Sequence, residues 1–390
     1  MSLMSVFGAY KLVVVGAGFF GVTIAHRAAT ELDIPVLVLD KRNHIGGNCY
    51  SEIDSKTGIE YHKYGTHIFH TSSEEVWAFV NRFCQLNNYR HRVFTRYNKR
   101  TFTMPINLMT INQFFGLDLD PEDARKFIAE QAAAEGIKCP QNLEEKAVTL
   151  IGRRLYEAFV KGYTVKQWQT DPRELPADII NRLPVRFSYN DFYFTDHFEG
   201  IPIGGYTSIF RNMLAHTRIH VIPGCDFFEV QGQLDPKSLV VFTGPIDRYF
   251  EYRFGELGWR TLDFEIERLP IDDYQGAAVI NYPEADERFA RIHEFKHLHP
   301  ERRHRENSTL IMREYSRFAR HNDEPYYPIG VRKDKDLYEE YRALADREPN
   351  TIFGGRLGSY RYLDMHQAIG GALKCFDNEV VPRLNACDAV

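Results

Sequence analysis

A run of apolar, β-branched residues that leads into a glycine-rich turn constrains this chain most strongly. Residues 11–15 read KLVVV, a pattern typical of a strand that is covered on both faces. Gly16, Gly18 and Gly21 follow in the spacing GxGxxG. In such a turn the first glycine permits the tight bend, the second admits a pyrophosphate, and the third lets the next helix pack on the strand. The alternative is a glycine turn that holds no ligand.

The residues after the turn favour a dinucleotide site. Ile24, Ala25 and Ala28 continue at helical spacing, and residues 36–39 predict a second strand that ends at Asp40. Asp40 lies 19 residues after Gly21. An acidic residue about 20 positions beyond the glycines hydrogen-bonds a ribose hydroxyl in dinucleotide-binding folds. The complete pattern is far more specific for a dinucleotide site than GxGxxG alone, because it combines a strand, the glycines, a helix, a second strand and an acidic residue at the expected spacing.

The segment DKRNHIGGN, residues 40–48, distinguishes between cofactors. Its basic residues and Gly46–Gly47 pair resemble the extended FAD fingerprint of glutathione-reductase-like and amine-oxidase-like flavoproteins. In those families the glycine pair passes close to the pyrophosphate. The resemblance therefore implies FAD rather than NAD, held in this part of the chain by Gly16, Gly18, Phe19, Gly21, Asp40, Lys41, Gly47 and Asn48.

The composition argues against several other classes of protein, namely nucleic-acid-binding, disulfide-rich and membrane-spanning proteins. The 390 residues are enough for two or three domains, and a net charge of -5 gives no overall surplus for nucleic acid or anionic lipid. The six cysteines form no CxxC pair and are too sparse for a disulfide scaffold, which favours reduced thiols. The longest apolar run, the opening stretch, is broken by glycines and too short to cross a bilayer. We expect a cytoplasmic protein without membrane insertion.

The remaining sequence predicts an α/β protein of three parts. Residues 121–134 and 142–163 are predicted helices, with Asn142 as an N-cap. Strands are predicted within 90–105, 183–200, 220–230 and 237–247. Residues 353–374 are predicted to form a second glycine-rich turn that enters a helix. That turn indicates a discontinuous nucleotide domain, although an ordinary loop is the alternative. We predict a Rossmann-like FAD domain (1–88, 201–246, 351–390), an inserted helical domain with a mobile loop (106–182) and an antiparallel sheet domain (89–105, 183–200, 247–350).

Several rarer motifs together resemble one family, the bacterial UDP-galactopyranose mutases. The motifs run in order from Leu12 to about Lys374: VVGAGFFG, DKRNHIGGN, YGTHIFH, LYEAFVKGYTVKQW, RLPVRFSYNDFYF, IPIGGYT, NYP, RIHEFKH, EPYYPI and GRLGSYRYLDMHQAI. The resemblance implies interconversion of UDP-galactopyranose and UDP-galactofuranose without net redox change. In the mechanism favoured for the family, N5 of reduced FAD attacks the anomeric carbon and displaces UDP, and a flavin–sugar iminium forms as the ring opens. A homodimer is also expected from the family.

The resemblance also assigns site residues. It implies that Arg182 and Arg356 bind the pyrophosphate, that Tyr163 stacks on uracil, and that Trp168 lies on a loop that closes over the substrate. The other implied substrate contacts are Phe159, Thr164, Tyr193, Asn281, Arg291, Tyr327, Tyr362 and Asp364. The implied catalytic residues are Arg182, Arg356, His67 and His70, and the implied flavin contacts in the later motifs are His67, Gly355, Arg356, Tyr362, Asp364 and Met365. We expect no metal site, and we interpret the histidines of HEFKHLH as structural.

Some residues depart from the family pattern. Phe20 occupies a position where the family commonly has a small residue. Thr66 occupies a position where proline is frequent, and Val160 occupies one where a second aromatic residue is common. Two other readings remain at this point. The nucleotide fingerprint alone allows an amine-oxidase-like flavin oxidoreductase, and a protein that binds flavin or UDP without catalysis is the third possibility.

Overall fold

The strand that precedes the first glycine turn lies at the centre of a parallel sheet. The computed structural model describes Phe7, residues 10–182 and residues 185–387, except the side chains of residues 178, 181, 182 and 387. In chain order its strands are β1 (Leu12–Val15), β2 (Val36–Asp40), β3 (Ser51–Ile53), β4 (Glu60–His62), β5 (Phe69–Thr71), β6 (Val93–Tyr97), β7 (Arg100–Met104), β8 (Phe198–Gly200), β9 (Ile219–Pro223), β10 (Leu239–Phe242), β11 (Trp259–Leu269), β12 (Val279–Asn281), β13 (Arg291–Glu294), β14 (Thr309–Phe318), β15 (Tyr327–Pro328) and β16 (Thr351–Phe353).

The described residues also form thirteen α-helices. In chain order the α-helices are α1 (Phe19–Glu31), α2 (Glu74–Asn81), α3 (Leu108–Phe115), α4 (Pro121–Ala133), α5 (Leu143–Leu155), α6 (Gly162–Trp168), α7 (Tyr206–Leu214), α8 (Phe227–Val230), α9 (Ile246–Tyr249), α10 (Arg332–Ala345), α11 (Gly355–Gly358), α12 (Met365–Cys375) and α13 (Val381–Cys387). Within the described residues, no helix combines the length and the apolar character that a bilayer crossing needs.

The parallel sheet has the strand order β16-β10-β1-β2-β9. Leu12 and Val14 face one apolar core with α1, α7 and α12, whereas Val13 faces a second core with α10. This two-sided burial explains the uninterrupted apolar runs of β1 and β2, because a parallel sheet with helices on both faces exposes neither face. The Rossmann-like α/β class predicted from the sequence is confirmed.

A second sheet has the order β15-β11-β14-β13-β12-β6-β7 and is antiparallel apart from the parallel pair β12–β6. The prediction of strands across 183–200 is wrong for most of the described residues: only β8 forms there, and it pairs with β5 outside this sheet. Residues 185–197 are irregular, and two of their aromatic side chains, Tyr193 and Phe194, pack against His91 and His70 instead of alternating across a sheet.

Two other expectations need correction. The predicted continuous helix 142–163 is broken at Gly152, whose φ of 74° is left-handed, and Tyr156–Lys161 forms a π-helical turn before α6. A Cβ at Gly152 would lie 2.9 Å from Gln131 Cβ, so the break lets α4 and α5 approach closely. In addition, the strand predicted within 220–230 ends at Pro223, and Phe227–Val230 forms α8 instead.

Phe20 connects the two glycine-rich turns. A Cβ added to Gly354 would lie 2.3 Å from Phe20 Cζ and 2.4 Å from Phe20 Cε1. The ring therefore occupies the space that a side chain at Gly354 would need, next to the start of α11. The large residue in the first turn is accommodated because the second turn has no side chain opposite it.

Candidate functional site

An open cleft lies at the carboxyl ends of β1, β2 and β10. Ligands of open parallel sheets bind at this edge. Twelve of the fourteen residues predicted to bind the cofactor line the cleft: Gly16, Gly18, Phe19, Gly21, Asp40, Lys41, Gly47, Asn48, His67, Gly355, Arg356 and Met365. Tyr362 and Asp364 are not among its lining residues.

The glycine turn exposes backbone to the cleft. Gly18 is the N-cap of α1, has no side-chain cap, and would meet nothing within 4 Å if it carried a Cβ. Gly16 has a φ of 105°, and a Cβ there would lie 2.0 Å from Thr243 Oγ1. Gly47, with a φ of 55°, brings the later glycine pair against Gly18, since its Cβ would lie 3.2 Å from Gly18 Cα. The unpaired first-turn amides of α1 suit a pyrophosphate.

Asp40, at the end of β2, stabilises this turn through hydrogen bonds. Its carboxylate accepts hydrogen bonds from Ala17 N at 2.8 Å and from Arg42 N at 2.9 Å. Burial raises the pKa of Asp40, and the two backbone donors oppose that rise. A carboxylate has about four acceptor positions, so Asp40 retains capacity for a ribose hydroxyl in the cleft.

The far end of the cleft contains ion pairs that the sequence did not single out. Arg248 contacts Asp226 at 2.6 Å, and Glu324 contacts Arg42 at 2.9 Å and Lys41 at 2.8 Å. Asp226 and Arg248 are 22 positions apart, and Glu324 follows Arg248 by 76 positions. No local motif marks them, because only the folded sheet places them together.

Arg356 connects the cleft to a group of aromatic rings. Its guanidinium lies 5.6 Å from the Tyr327 ring centre and 5.2 Å from that of Tyr362, and the two rings stack at 5.5 Å. Arg356 Nη2 donates to Leu363 O at 2.6 Å, which fixes its direction. Three predicted substrate residues therefore lie together beside the predicted cofactor cleft.

A chain of polar contacts joins Thr66 to Tyr163, the predicted uracil-stacking residue. Arg291 Nη2 donates to Tyr163 Oη, and Arg291 Nε lies 3.3 Å from Glu314 Oε1. Glu314 Oε2 lies 3.0 Å from His293 Nε2, and His293 Nδ1 lies 2.6 Å from Thr66 Oγ1. Proline, frequent at the position of Thr66 in the family, could not make the last contact.

Glu314 is the buried counter-charge of this chain, and the sequence analysis missed it. Burial opposes the charged form of Glu314, but Arg291 and His293 hold its pKa below the ordinary value. Burial likewise opposes the charge on Arg291, while Glu314 and the tyrosines raise its pKa, so both side chains stay ionised. The tyrosines that interact with Arg291 are Tyr163, Tyr327 and Tyr193.

The two predicted catalytic histidines differ in environment. His67 lines the cleft, and burial lowers its pKa to about 4. His67 Nδ1 lies 2.7 Å from Gly65 O. Since a carbonyl can only accept, Nδ1 carries the proton and Nε2 is an acceptor. His70 is not a lining residue of the cleft. It stacks on Phe194 at 3.7 Å, and its Nδ1 lies 2.6 Å from Asp196 Oδ2.

The other predicted substrate residues are more dispersed. Phe159 is 5% exposed and packs in the helical core against Tyr97, Phe102 and Phe114, and Thr164 is buried on α6. Trp168 ends α6 and lies 5.9 Å from the Arg260 guanidinium. Asn281 ends β12, and its side-chain oxygen is buried without a hydrogen-bond partner in the described structure. The side chain of Arg182 lies outside the described residues.

The fold and cleft define a dinucleotide-binding protein of the Rossmann type. Residues 14–83 match the family model of NAD(P)-binding Rossmann-like domains, and residues 158–362 match the UDP-galactopyranose mutase model. The chain is 44% identical over 372 residues to a probable UDP-galactopyranose mutase of Klebsiella pneumoniae, with 94% of each chain covered. It is also 41% identical over 376 residues to a dTDP-fucopyranose mutase of Escherichia coli, covering 94% of this chain and 97% of the relative.

The chain belongs to the UDP-galactopyranose mutase family, as its motifs predicted, and is an enzyme of the isomerase class. A crystal structure of reduced UDP-galactopyranose mutase shares the fold with a TM-score of 0.75 and 16% identity, covering 96% of this chain and 94% of that one. A putative protoporphyrinogen oxidase from Exiguobacterium is more distant, with a TM-score of 0.63 and 12% identity over 96% of this chain and all of that one.

Proposed function

We propose that the protein interconverts UDP-galactopyranose and UDP-galactofuranose with reduced FAD bound in the cleft. The observation that carries the proposal is the position of Arg356, which lines the cleft and also lies over Tyr327 and Tyr362. A cation shared by the cleft and the tyrosine pair suits a diphosphate held next to a flavin. Guanidinium groups bind phosphate oxygens with two parallel hydrogen bonds.

The residues of the cleft fit FAD. The open space over Gly18, the exposed amides of α1, and the buried Asp40 at the end of β2 suit a pyrophosphate and a ribose. Bound reduced FAD supplies a nucleophilic nitrogen and permits covalent catalysis without net redox change. His67 remains neutral at neutral pH because burial lowers its pKa to about 4, so its Nε2 would be available to accept a hydrogen bond from a cofactor in the cleft.

The substrate would lie along the Arg356, Tyr327 and Arg291 side chains. Glu314 holds Arg291 in place and limits its rotation, so the guanidinium is already oriented when a nucleotide binds. Arg291 in turn positions the Tyr163 hydroxyl, and we propose that the Tyr163 ring stacks on the base. Trp168, at the end of α6, would close over the sugar and exclude water while UDP is detached.

The decisive experiment compares turnover in the two redox states of the flavin. Purified FAD-loaded protein is given UDP-galactofuranose, with or without dithionite, and the products are separated by chromatography. We expect UDP-galactopyranose from the reduced protein and little or none from the oxidised protein. Equal activity in both states would refute the role of reduced FAD. Net flavin oxidation coupled to substrate consumption would instead support an oxidoreductase, and binding without turnover would support a binding protein.

A matched pair of variants tests the diphosphate site. Arg356→Ala removes the cation beside the tyrosines, whereas Arg361→Ala removes an exposed cation of the same segment. Truncating one partner of a desolvated charge contact costs about 2–5 kcal/mol, so we expect kcat/KM of Arg356→Ala to fall roughly 30-fold or more. Arg361→Ala should behave like the parent. Equal kcat/KM in both variants would contradict the proposed diphosphate site.

One relative suggests a second substrate. The dTDP-fucopyranose mutase of Escherichia coli is 41% identical to this chain, only slightly less than the Klebsiella relative. The corresponding test measures kcat/KM for UDP-galactofuranose and dTDP-fucofuranose with the same reduced preparation. We expect preference for the uridine nucleotide. A preference for the thymidine nucleotide would change the substrate assignment and leave the ring-contraction chemistry intact.

A further inference from the structure

Two histidines and an aspartate from distant parts of the chain converge beside β5. His70 lies on β5, Asp364 is the N-cap of α12, and His366 lies in the first turn of α12. One side-chain ligand atom from each residue lies within 4.8 Å of the other two. The His70 and His366 rings meet edge to face at 4.9 Å. We propose that His70, Asp364 and His366 form a binding site for Zn²⁺.

The surroundings of His70 match those of a metal-ligating histidine. Asp196 Oδ2 lies 2.6 Å from His70 Nδ1, and Ser72 Oγ donates to Asp196 Oδ1 at 2.7 Å. A carboxylate on one ring nitrogen fixes the tautomer and raises the basicity of the other nitrogen, an arrangement common behind zinc ligands. Phe194 stacks on the ring at 3.7 Å and restricts its rotation. Nε2 is therefore the ligand atom that His70 can offer.

The other two residues have unused ligand capacity. His366 Nδ1 is buried and has no hydrogen-bond partner among the described residues. The Asp364 side chain accepts from the backbone of Gln367 in a capping box, which leaves acceptor positions on its second oxygen. Two imidazoles and a carboxylate favour Zn²⁺ over Ca²⁺ and Mg²⁺, which prefer oxygen ligands.

The distances are compatible with a tetrahedral ion. Zinc–ligand bonds near 2.0–2.2 Å place tetrahedral ligand atoms about 3.4 Å apart. The present separations, up to 4.8 Å, must therefore shrink by at most roughly 1.4 Å. Asp364 and His366 are only partly buried at a helix start, so side-chain rotation can supply this movement. Three protein ligands leave the fourth position open, as in zinc sites that retain a water or exogenous ligand.

A second histidine–carboxylate trio provides the internal control. Asp273, Glu294 and His297 satisfy the same distance criterion. There Glu294 already accepts from Tyr274 N at 3.0 Å and from Thr309 Oγ1 at 2.5 Å, and His297 lies 3.2 Å from Asp273. Among these three residues no buried side-chain nitrogen or oxygen lacks a hydrogen-bond partner, in contrast to His366 Nδ1.

The test titrates ZnCl₂ into FAD-loaded protein in competition with a chromogenic chelator. We expect one equivalent bound by the parent, with affinity reduced at least tenfold in His366→Gln and about tenfold in the positioning variant Asp196→Asn. His297→Gln should bind like the parent. Parent-like affinity in His366→Gln, or no competition by the parent, would overturn the site. FAD content and circular dichroism of each variant confirm that it is folded.

The titration is independent of the proposed mutase activity, so the two can fail separately. Turnover offers a second readout, because Asp364 directly follows Tyr362 and Leu363, which contact Arg356, so a Zn²⁺ ion on Asp364 would lie next to the proposed diphosphate site. His366→Gln should keep its basal turnover and resist Zn²⁺ inhibition at least tenfold better than the parent. Equal Zn²⁺ inhibition of both proteins would count against this site.

Discussion

Gly162 begins α6 at a point where two segments of backbone nearly touch. A Cβ at this position would lie 2.0 Å from Pro283 O and 3.1 Å from Pro283 C. Lys166, one turn later, donates from Nζ to Tyr282 O at 2.6 Å and to Phe289 O at 3.2 Å. The helix therefore cannot move away from the 282–289 segment without losing hydrogen bonds.

Two opposing effects decide the result of Gly162→Ala. Alanine is favoured over glycine in a helix by about 1 kcal/mol. Restoring a contact of about 3.4 Å to Pro283 O requires roughly 1.4 Å of backbone displacement, and overpacking of a fitted site costs about 1–3 kcal/mol or more. Since the obstructing atom belongs to backbone rather than to a flexible side chain, we expect a cost near the upper end of that range and a net destabilisation of about 2 kcal/mol.

Gly370→Ala is the matched control. Gly370 lies inside α12, and a Cβ there would meet only Val76 Cγ2 at 3.5 Å, an ordinary contact. We expect this variant to gain about 0.5–1 kcal/mol. Urea unfolding of both FAD-loaded variants gives the comparison, and KM of Gly162→Ala should rise because Tyr163 is displaced. A Gly162→Ala protein as stable as Gly370→Ala, with unchanged KM, would refute the close approach.

Three further predictions follow from buried groups. Burial lowers the pKa of His91 to about 3, so the unfolded chain takes up its proton first as pH falls. Between pH 7 and pH 4 the unfolding free energy of the parent should fall by about 3 kcal/mol more than that of His91→Gln. The same pH dependence of the unfolding free energy in both proteins would contradict this. Glu314→Gln leaves Arg291 without its counter-charge and should destabilise by about 3 kcal/mol in denaturant unfolding, whereas an unchanged midpoint would exclude this pairing. Gly354→Ala should lower the free energy of unfolding in the parent, and it should do so much less in a Phe20→Ala background. Strictly additive changes in the free energy of unfolding in that double-mutant cycle would argue against contact between the two residues.

The sequence predicted the parts of the fold that depend on local order. The glycines, β1, α1 and β2 lie within thirty residues of one another, and each constrains the next, so their joint pattern identifies the nucleotide-binding unit. The helix break at Gly152 could not be predicted, because the glycine is needed for contact with Gln131 on another helix. Helix propensity depends on a residue and its neighbours in the sequence, so it contains no information about a distant segment that approaches the residue in the fold.

The candidate site shows the same limit. Arg356, Tyr327 and Tyr362 were identified only because their motifs resemble a family, and no spacing rule relates them. Glu314 and Asp196 were missed because each acts through a histidine or arginine from another strand or loop. A buried carboxylate is recognised by its partners, and partners far apart in sequence become visible only in the folded chain.

The cleft is assembled from the two extremes of the described chain. Gly16 and Arg356 face the same space, although 340 positions separate them. During synthesis, a ribosome-bound chain that has emerged only to residue 350 has its first glycine turn but neither β16 nor the wall formed by Arg356 and Met365. Stable capture of a cofactor must then wait until nearly the whole polypeptide has left the ribosome. The enzyme could not become loaded in the order in which its motifs are translated.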